Sequence, residues 1–347
     1  MMRHPPELTA DQADVASLVA SVVADTDLRP SDERPSDVLQ IRCQLAELGI
    51  WTLGVPAPGD GAEEGAEDDL AAIAFACLGQ GWPALAWAAV QAHAALEVLG
   101  TAEPAAGVRS GRTAVAVIDS SSPVARLAVH DGWISGSIDR IDPAGESPYI
   151  IVLGNDSAQL LGPELLRFEQ LRRTGLDGAL TSSAVVVEPV RVSEVTITGV
   201  DVEAARTRLW LGAAAIAAGI ASAAAEAALE YSAQRVQFGA PLTALPSVRE
   251  ALFLSSAAAA TSWRQVLRPR DCSAWQAAAV LDAACERAID TCASAIQSHG
   301  GYGYLTEYRV ERMLRDAVSL RAACDVATAR RAAAADLTGT PAYAGKD

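Results

Sequence analysis

The sequence predicts an α+β protein in three parts: an N-terminal helical domain over residues 1–108, a middle antiparallel β domain over residues 109–200, and a C-terminal four-helix bundle over residues 201–347. The first and last parts repeat apolar residues at three- and four-residue spacing, which is typical of amphipathic helices. The middle part instead holds short β-branched runs bounded by glycine, proline or aspartate, which predict strands. A chain of 347 residues is long for one core, so several subdomains are expected.

Each element follows from a local pattern. In the first part, "DQADVASLVASVVADT" and "SDVLQIRCQLAELGI" predict helices, and the acidic, turn-rich segment "GVPAPGDGAEEGAEDD" separates them from two further apolar helices. In the middle part, "TAVAVID", "YIIVLG" and "AVVVEPVRVSEVTITGV" predict strands. The dipeptide Asp131-Gly132 predicts a hairpin turn, where we expect His130 and Trp133 to be structural.

The last part predicts four long helices, over residues 203–234, 246–268, 271–299 and 307–336. The run from Leu209 to Tyr231 has about the length of a membrane span. Its residues are mostly alanine, however, which is a weak hydrophobe, and Glu226 and Glu230 interrupt it. Small residues favour tight packing inside a bundle, so we predict a core helix and no membrane partner.

Charge and cysteine usage exclude several classes of function. A net charge of −16 argues against nucleic acid and anionic membranes as partners. The six cysteines lack CxxC spacing and there are only four histidines, so no metal site is predicted. The first residues lack the apolar core of a signal peptide, and we therefore expect a cytoplasmic protein with reduced thiols.

Two polar segments of the last part are candidates for ligand binding. In "RVQFGAPL", Arg235, Gln237 and Phe238 come at a helix end, where an arginine can bind phosphate in a bidentate manner and a phenylalanine can cover a ring edge. Taken alone, this segment is better explained by an exposed arginine, a surface glutamine and a core phenylalanine.

The second segment is "IQSHGGYGYLTEY". It combines Gln297, which can donate and accept hydrogen bonds, with Gly300 and Gly301, which let a ligand approach the backbone closely. Exposed amides at such a junction can bind phosphate. The alternative is a plain glycine-rich turn between helices.

Together these segments are more specific than either alone. "RxQFGxPL", followed some sixty residues later by "QxxGGxGY" and "EYxVERxxRDA", resembles the acyl-CoA dehydrogenase family, whose order of domains also matches nearly the entire chain. The resemblance implies FAD, with its ADP portion bound by the neighbouring subunit of a dimer. The residues implied to bind this cofactor are Arg235, Gln237, Phe238, Gln297, Gly300 and Gly301. Pro246 stands where the family usually has glutamine, so one flavin contact is expected to be missing.

The same resemblance implies that this chain lacks the family's catalytic base. The family reaction needs a carboxylate base that removes the α proton of an acyl thioester while the β hydride passes to the flavin. Most members place a glutamate nine residues beyond the arginine of "RDA", where this chain has Cys324, and some place it at the position of Leu209. Asp325 is one residue further, which turns a helical side chain by about 100°. We therefore predict no catalytic residue in this chain and structural roles for Cys324 and Asp325.

The flavin-ring side of the site also departs from the family. The alignment puts Arg140 and Asp142 where the tryptophan and threonine of "WITNA" belong. The resemblance then implies a heterotetramer (α2β2) in which a homologous catalytic subunit binds the acyl-CoA and shares its FAD with this chain. Actinobacterial enzymes of steroid side-chain degradation resemble this arrangement. Two alternatives stay open: a homomeric dehydrogenase with Asp325 or Cys324 as a displaced base, and a flavin-free acyl-CoA-binding or scaffold protein.

Overall fold

The computed structural model describes residues 8–24, 29–55, 66–173, 175–267 and 272–339. It confirms the predicted fold class, with N-terminal helices, then strands, then a C-terminal helical region. Most of the acidic turn predicted between the second and third helices lies outside the described residues.

The described residues of the N-terminal part form five helices. The first begins with a capping box in which Thr9 and Gln12 satisfy each other's backbone N–H groups. Proline opens the second, fourth and fifth helices, at the position where its missing N–H costs nothing. Their bounds are α1 Ala10–Val23, α2 Pro35–Glu47, α3 Ala66–Gly79, α4 Pro83–Leu99 and α5 Pro104–Arg109.

The middle part forms two sheets with a shared apolar core. One sheet has the order β1-β4-β5-β9 and the other β2-β3-β7-β6, with β8 added to β3. The pairs are antiparallel as predicted, except that β1 runs parallel to β4, because the chain crosses to the other sheet between them. The strands are β1 Val115–Asp119, β2 Ala125–His130, β3 Trp133–Ile141, β4 Tyr149–Leu153, β5 Ser157–Leu161, β6 Leu166–Gln170, β7 Ser182–Val186, β8 Val190–Arg191 and β9 Thr196–Thr198.

The predicted hairpin turn between β2 and β3 is confirmed. His130 pairs with Trp133 across it, and both central residues are left-handed, Asp131 at φ 50° and Gly132 at φ 79°. Such a turn matches the twist of its flanking strands. A one-turn helix, α6 Val192–Val195, leads from β8 to β9.

The C-terminal part departs from the predicted four-helix bundle in its last element. The helix expected over residues 307–336 is two helices, because Asp325 takes a left-handed backbone (φ 43°) and its side chain caps the next helix by accepting the Thr328 N–H. Left-handed backbone cannot continue a right-handed helix. The helices are α7 Val202–Gln234, α8 Pro246–Val266, α9 Ala274–His299, α10 Val310–Ala323 and α11 Val326–Thr338.

Helix α7 is the centre of the molecule. It is long and apolar enough to cross a membrane, but 89% of its most apolar window is buried inside the protein, which is typical of a core helix. Gly79 of α3 lets α7 pack closely on that helix, because a Cβ added at Gly79 would lie 2.7 Å from the carbonyl oxygen of Ile216 on α7. The small residues of α7 therefore serve helix packing.

Candidate functional site

The first polar segment forms a short hairpin at the end of α7. The Arg235 N–H donates to the Tyr231 carbonyl, and its own carbonyl accepts the Leu242 N–H at 2.9 Å. Strands β10 Val236–Gln237 and β11 Ala240–Pro241 pair between these anchors. The hairpin fixes the backbone on both sides of Arg235, whose side chain is half-buried.

Phe238 lies at the tip of that hairpin and is not a core residue. It is 92% exposed, and its φ of 55° is left-handed, as is the φ of 80° at Gly239. A bulky residue rarely adopts this backbone because its Cβ crowds the following carbonyl oxygen. An exposed and strained aromatic residue is typical of a functional contact rather than of folding.

The second polar segment ends α9 with two open glycines. Gln297 is exposed on the last turn, and Gly300 adopts φ 58° and ψ −136°, which only glycine accepts readily. Gly301 has no positive φ, and a Cβ built there would meet no atom within 4 Å. Backbone geometry thus explains glycine at position 300, whereas nothing in the described part of the chain requires it at position 301.

An aromatic cluster of Tyr231, His299, Tyr302 and Tyr308 brings the two segments together. His299 stacks on Tyr231 with ring centroids 4.2 Å apart, and Tyr308 packs edge-on against both. Tyr302 lies 5.6 Å from Tyr308, and the Arg235 guanidinium lies 5.5 Å from the Tyr302 ring centroid. Sequence analysis missed this cluster, although its tyrosines flank both motifs.

This arrangement can bind an anion. Among the described residues, Arg235 has no carboxylate partner, so its charge is available to a ligand. The exposed Gln297 amide and the open backbone at Gly301 lie on the second polar segment, which the aromatic cluster holds next to Arg235. A guanidinium with backbone and amide donors nearby is suited to a phosphate group.

A second location is a cavity between the N-terminal helices, the β domain and the C-terminal helices. It measures about 560 Å³, its mouth included, and Leu209 of α7 and Cys324 at the end of α10 both line it. The two positions at which the sequence comparison sought a base therefore face the same space. Neither carries a carboxylate.

Cys324 is unsuited to proton abstraction. It is 4% exposed, and burial together with the neighbouring Cys285 thiol raises the pKa of its thiol well above the ordinary range. A thiol in this environment stays protonated at neutral pH. Its burial agrees with the predicted structural role.

Asp325 also lines the cavity, but both of its oxygens are occupied. One accepts the Thr328 N–H at 3.1 Å, and the other accepts the hydroxyls of Ser122 and Thr328, each at 2.5 Å. Ser122, which sequence analysis did not identify, thus ties the β domain to the start of α11. Asp325 acts here as a helix cap and an interdomain contact.

Paired charges form another part of the cavity wall, whose other lining residues are largely apolar. Arg140 donates to Asp142 at 2.7 Å and to the Ser319 carbonyl at 3.3 Å, while Asp142 also accepts the Thr181 hydroxyl at 2.6 Å. A third carboxylate, Asp119, accepts a hydrogen bond from Arg206 at 2.6 Å. These contacts leave the carboxylates of the wall engaged.

Comparison with known proteins agrees with the fold and the motifs. Residues 203–323 match the family model described as acyl-CoA dehydrogenase, C-terminal domain. A probable acyl-CoA dehydrogenase of Bacillus subtilis, YngJ, is 34% identical over 161 residues, 42% of this chain and 41% of that protein. The human mitochondrial short-chain specific acyl-CoA dehydrogenase is 40% identical over 114 residues, 31% of this chain and 27% of that protein.

The similarity in three dimensions is broader. A solved structure of a glutaryl-CoA dehydrogenase from Mycobacterium smegmatis in complex with FADH2 superimposes with a TM-score of 0.75. The superposition covers 97% of this chain and 96% of that one at 15% sequence identity. The whole chain therefore has the acyl-CoA dehydrogenase fold, while its sequence matches span less than half of either of those two relatives.

Proposed function

From the premise that residues 203–323 form an acyl-CoA dehydrogenase C-terminal domain, we propose that this chain is the subunit without a base in a heterotetrameric, FAD-dependent acyl-CoA dehydrogenase. It contributes the ADP-binding half of a shared FAD site. A homologous catalytic subunit supplies the base, the flavin-ring contacts and most of the binding surface for the acyl-CoA. The complex is cytoplasmic.

One observation carries the proposal. Leu209 and Cys324 occupy the two base positions and face one cavity, and neither can remove a proton from a substrate carbon. The same cavity contains the Arg140–Asp142 ion pair in place of residues that would contact the flavin ring. These four residues support a catalytic half that differs from the family pattern at both base positions and on the flavin-ring side.

The ADP half fits the cofactor. Arg235, which has no carboxylate partner among the residues that the structure describes, offers its guanidinium for a pyrophosphate, and Gln297 offers an exposed amide. Gly301 leaves open space where any larger residue would project. When bound, the flavin supplies hydride acceptance, and these residues of the present chain bind and orient its far end.

The surface around Arg235 supports a partner subunit. Val236 and Phe238 are 57% and 92% exposed on one side of it, and Leu305 is 44% exposed on the other segment. Aromatic and aliphatic side chains of this kind are enriched at protein interfaces and costly to leave in water. A second copy of this chain would offer them a cavity without a base, whereas a homologous catalytic subunit completes the site.

The alternatives have less support. A homomeric enzyme with Asp325 as base would have to break three hydrogen bonds and rebuild the start of α11. A flavin-free scaffold would leave the strain at Phe238 and the glycine at position 301 without a function.

The test is capture of the affinity-tagged chain from its native source, followed by a flavin spectrum and a subunit count of the complex. We expect a homologous dehydrogenase in equal amount and one FAD per heterodimer. Two FAD per heterodimer, or a full complement of FAD in this chain alone, would contradict the proposal, and a complex without flavin would support the scaffold. Turnover of fatty-acyl and steroid side-chain CoA thioesters by the complex then identifies the substrate.

A further inference from the structure

The Arg235 side chain is restrained by its surroundings. An arginine loses rotamer entropy when it is fixed, so an arginine that is already held binds an anion at a smaller cost. The Arg235 backbone is anchored at Tyr231 and Leu242, and its guanidinium lies over the Tyr302 ring at 5.5 Å. A cation–π contact consumes no N–H donor, which leaves the donors available to a ligand.

We infer that Tyr302 is a positioning residue for the cofactor: it orients Arg235 toward the ADP half of the shared FAD. This inference rests on the proposed function. Tyr302 follows the two glycines directly, so the ring that holds the cation belongs to the same short segment as the open backbone. One residue thereby couples the arginine of the first motif to the glycines of the second.

The rest of the aromatic cluster keeps Tyr302 in place. Tyr308 lies 5.6 Å from Tyr302 and 5.6 Å from His299, which stacks on Tyr231 at 4.2 Å. His299 is buried, and one of its ring nitrogens lies 2.8 Å from the Ala295 carbonyl oxygen. Since Tyr231 is one turn before Arg235 on α7, the cluster sets the spacing between α7 and the glycine segment before any ligand binds.

The experiment measures FAD dissociation from the heteromeric complex for Tyr302→Leu, Tyr302→Phe and a matched control, Tyr304→Leu. Tyr304 lies in the same 3-10 turn, is more exposed and has no ring contact among the described residues. We expect Tyr302→Leu to raise the FAD dissociation constant about two- to fivefold, Tyr302→Phe to stay within about twofold, and Tyr304→Leu to change nothing. Riboflavin, which lacks both phosphates and the adenosine, should bind equally to all variants.

A double-mutant cycle separates positioning from folding. Arg235→Ala should weaken FAD binding roughly 10- to 100-fold, and Tyr302→Leu should then add no further loss. An equal loss from Tyr302→Leu in both backgrounds, or a parallel loss of riboflavin binding, would overturn the inference and leave the proposed function intact. Unchanged FAD affinity in Arg235→Ala would overturn both.

Discussion

Replacement of Asp325 tests whether its carboxylate has a structural or a catalytic role. Asp325 lines the cavity next to Cys324 and is the nearest carboxylate to the family's usual base position. If its role is structural, Asp325→Asn should lower the stability of the chain only slightly, since asparagine keeps a side-chain oxygen that can accept hydrogen bonds and tolerates left-handed backbone. Asp325→Ala should lower the stability much more.

The magnitude follows from the contacts. Alanine removes a helix cap worth about 1 kcal/mol and leaves the Ser122 hydroxyl, which is buried, without its acceptor at a cost of about 1 kcal/mol. It also places a Cβ without a compensating hydrogen bond at φ 43°, which adds about 1 kcal/mol. The free energy of unfolding should fall by roughly 3 kcal/mol in Asp325→Ala and by about 1 kcal/mol in Asp325→Asn.

The assays are urea unfolding of the isolated chain and acyl-CoA dehydrogenation by the complex with an artificial electron acceptor. Because the base is expected in the partner, Asp325→Asn should keep activity within about twofold. A catalytic base would instead lose about 100- to 10,000-fold on the same change, without a matching loss of stability. That result would refute the structural role and restore the homomeric alternative.

Four further substitutions test the remaining features. Gly301→Ala should leave the stability of the chain within about 0.5 kcal/mol but weaken FAD binding by the complex about tenfold, whereas Gly300→Ala, at φ 58°, should cost about 1–2 kcal/mol of stability. Phe238→Asn should raise the unfolding free energy of the isolated chain by about 1 kcal/mol and weaken assembly with the partner. Burial raises the pKa of Asp316 to about 6, so the folded state binds its proton more tightly than the unfolded state, and stability from this group falls as pH rises from about 4 to 6. The unfolding free energy of Asp316→Asn relative to wild type should therefore shift by roughly 2–3 kcal/mol in favour of the variant between pH 4 and 7.

Each of these outcomes has a contrary result. A loss of stability in Gly301→Ala would show that its glycine serves the fold, and unchanged assembly of Phe238→Asn would remove the hairpin tip from the interface. A pH-independent difference between Asp316→Asn and wild type would mean that Asp316 titrates with an ordinary pKa. Urea unfolding across pH measures the stabilities, flavin fluorescence measures FAD binding, and size-exclusion chromatography with the partner subunit measures assembly.

Much of the fold could be predicted because local patterns and tertiary structure agree. The three-part order and the Asp131-Gly132 turn follow from periodicity and turn chemistry alone. The break at Asp325 could not, since "RAACDVATARR" has good helix formers throughout and only an aspartate to suggest a cap. The left-handed backbone there is stabilised by Ser122, some two hundred residues away in sequence, which no local pattern reveals.

The candidate site, like the fold, could be predicted only in part. The family resemblance implied that Leu209 and Cys324 stand at the base positions, and the structure places both in one cavity. Spacing could not predict how the two ADP segments meet, because that depends on rings from four different positions packing against one another. The strain at Phe238 was likewise invisible, since a phenylalanine in an apolar context is usually a core residue.

Under the proposed function, the contacts in the cavity explain why the catalytic half of the site has changed while the ADP half has been kept. Once a base is absent, an open polar cavity has no ligand to stabilise it, and paired charges such as Arg140 and Asp142 can instead join the β domain to α10 through Ser319. Buried ion pairs add little net stability but define a unique arrangement. On the proposed function the ADP half is under a different constraint, because its residues would contact a cofactor whose chemistry takes place in the partner. Arg235 and Gly301 would therefore stay available in a chain whose own cavity carries no base.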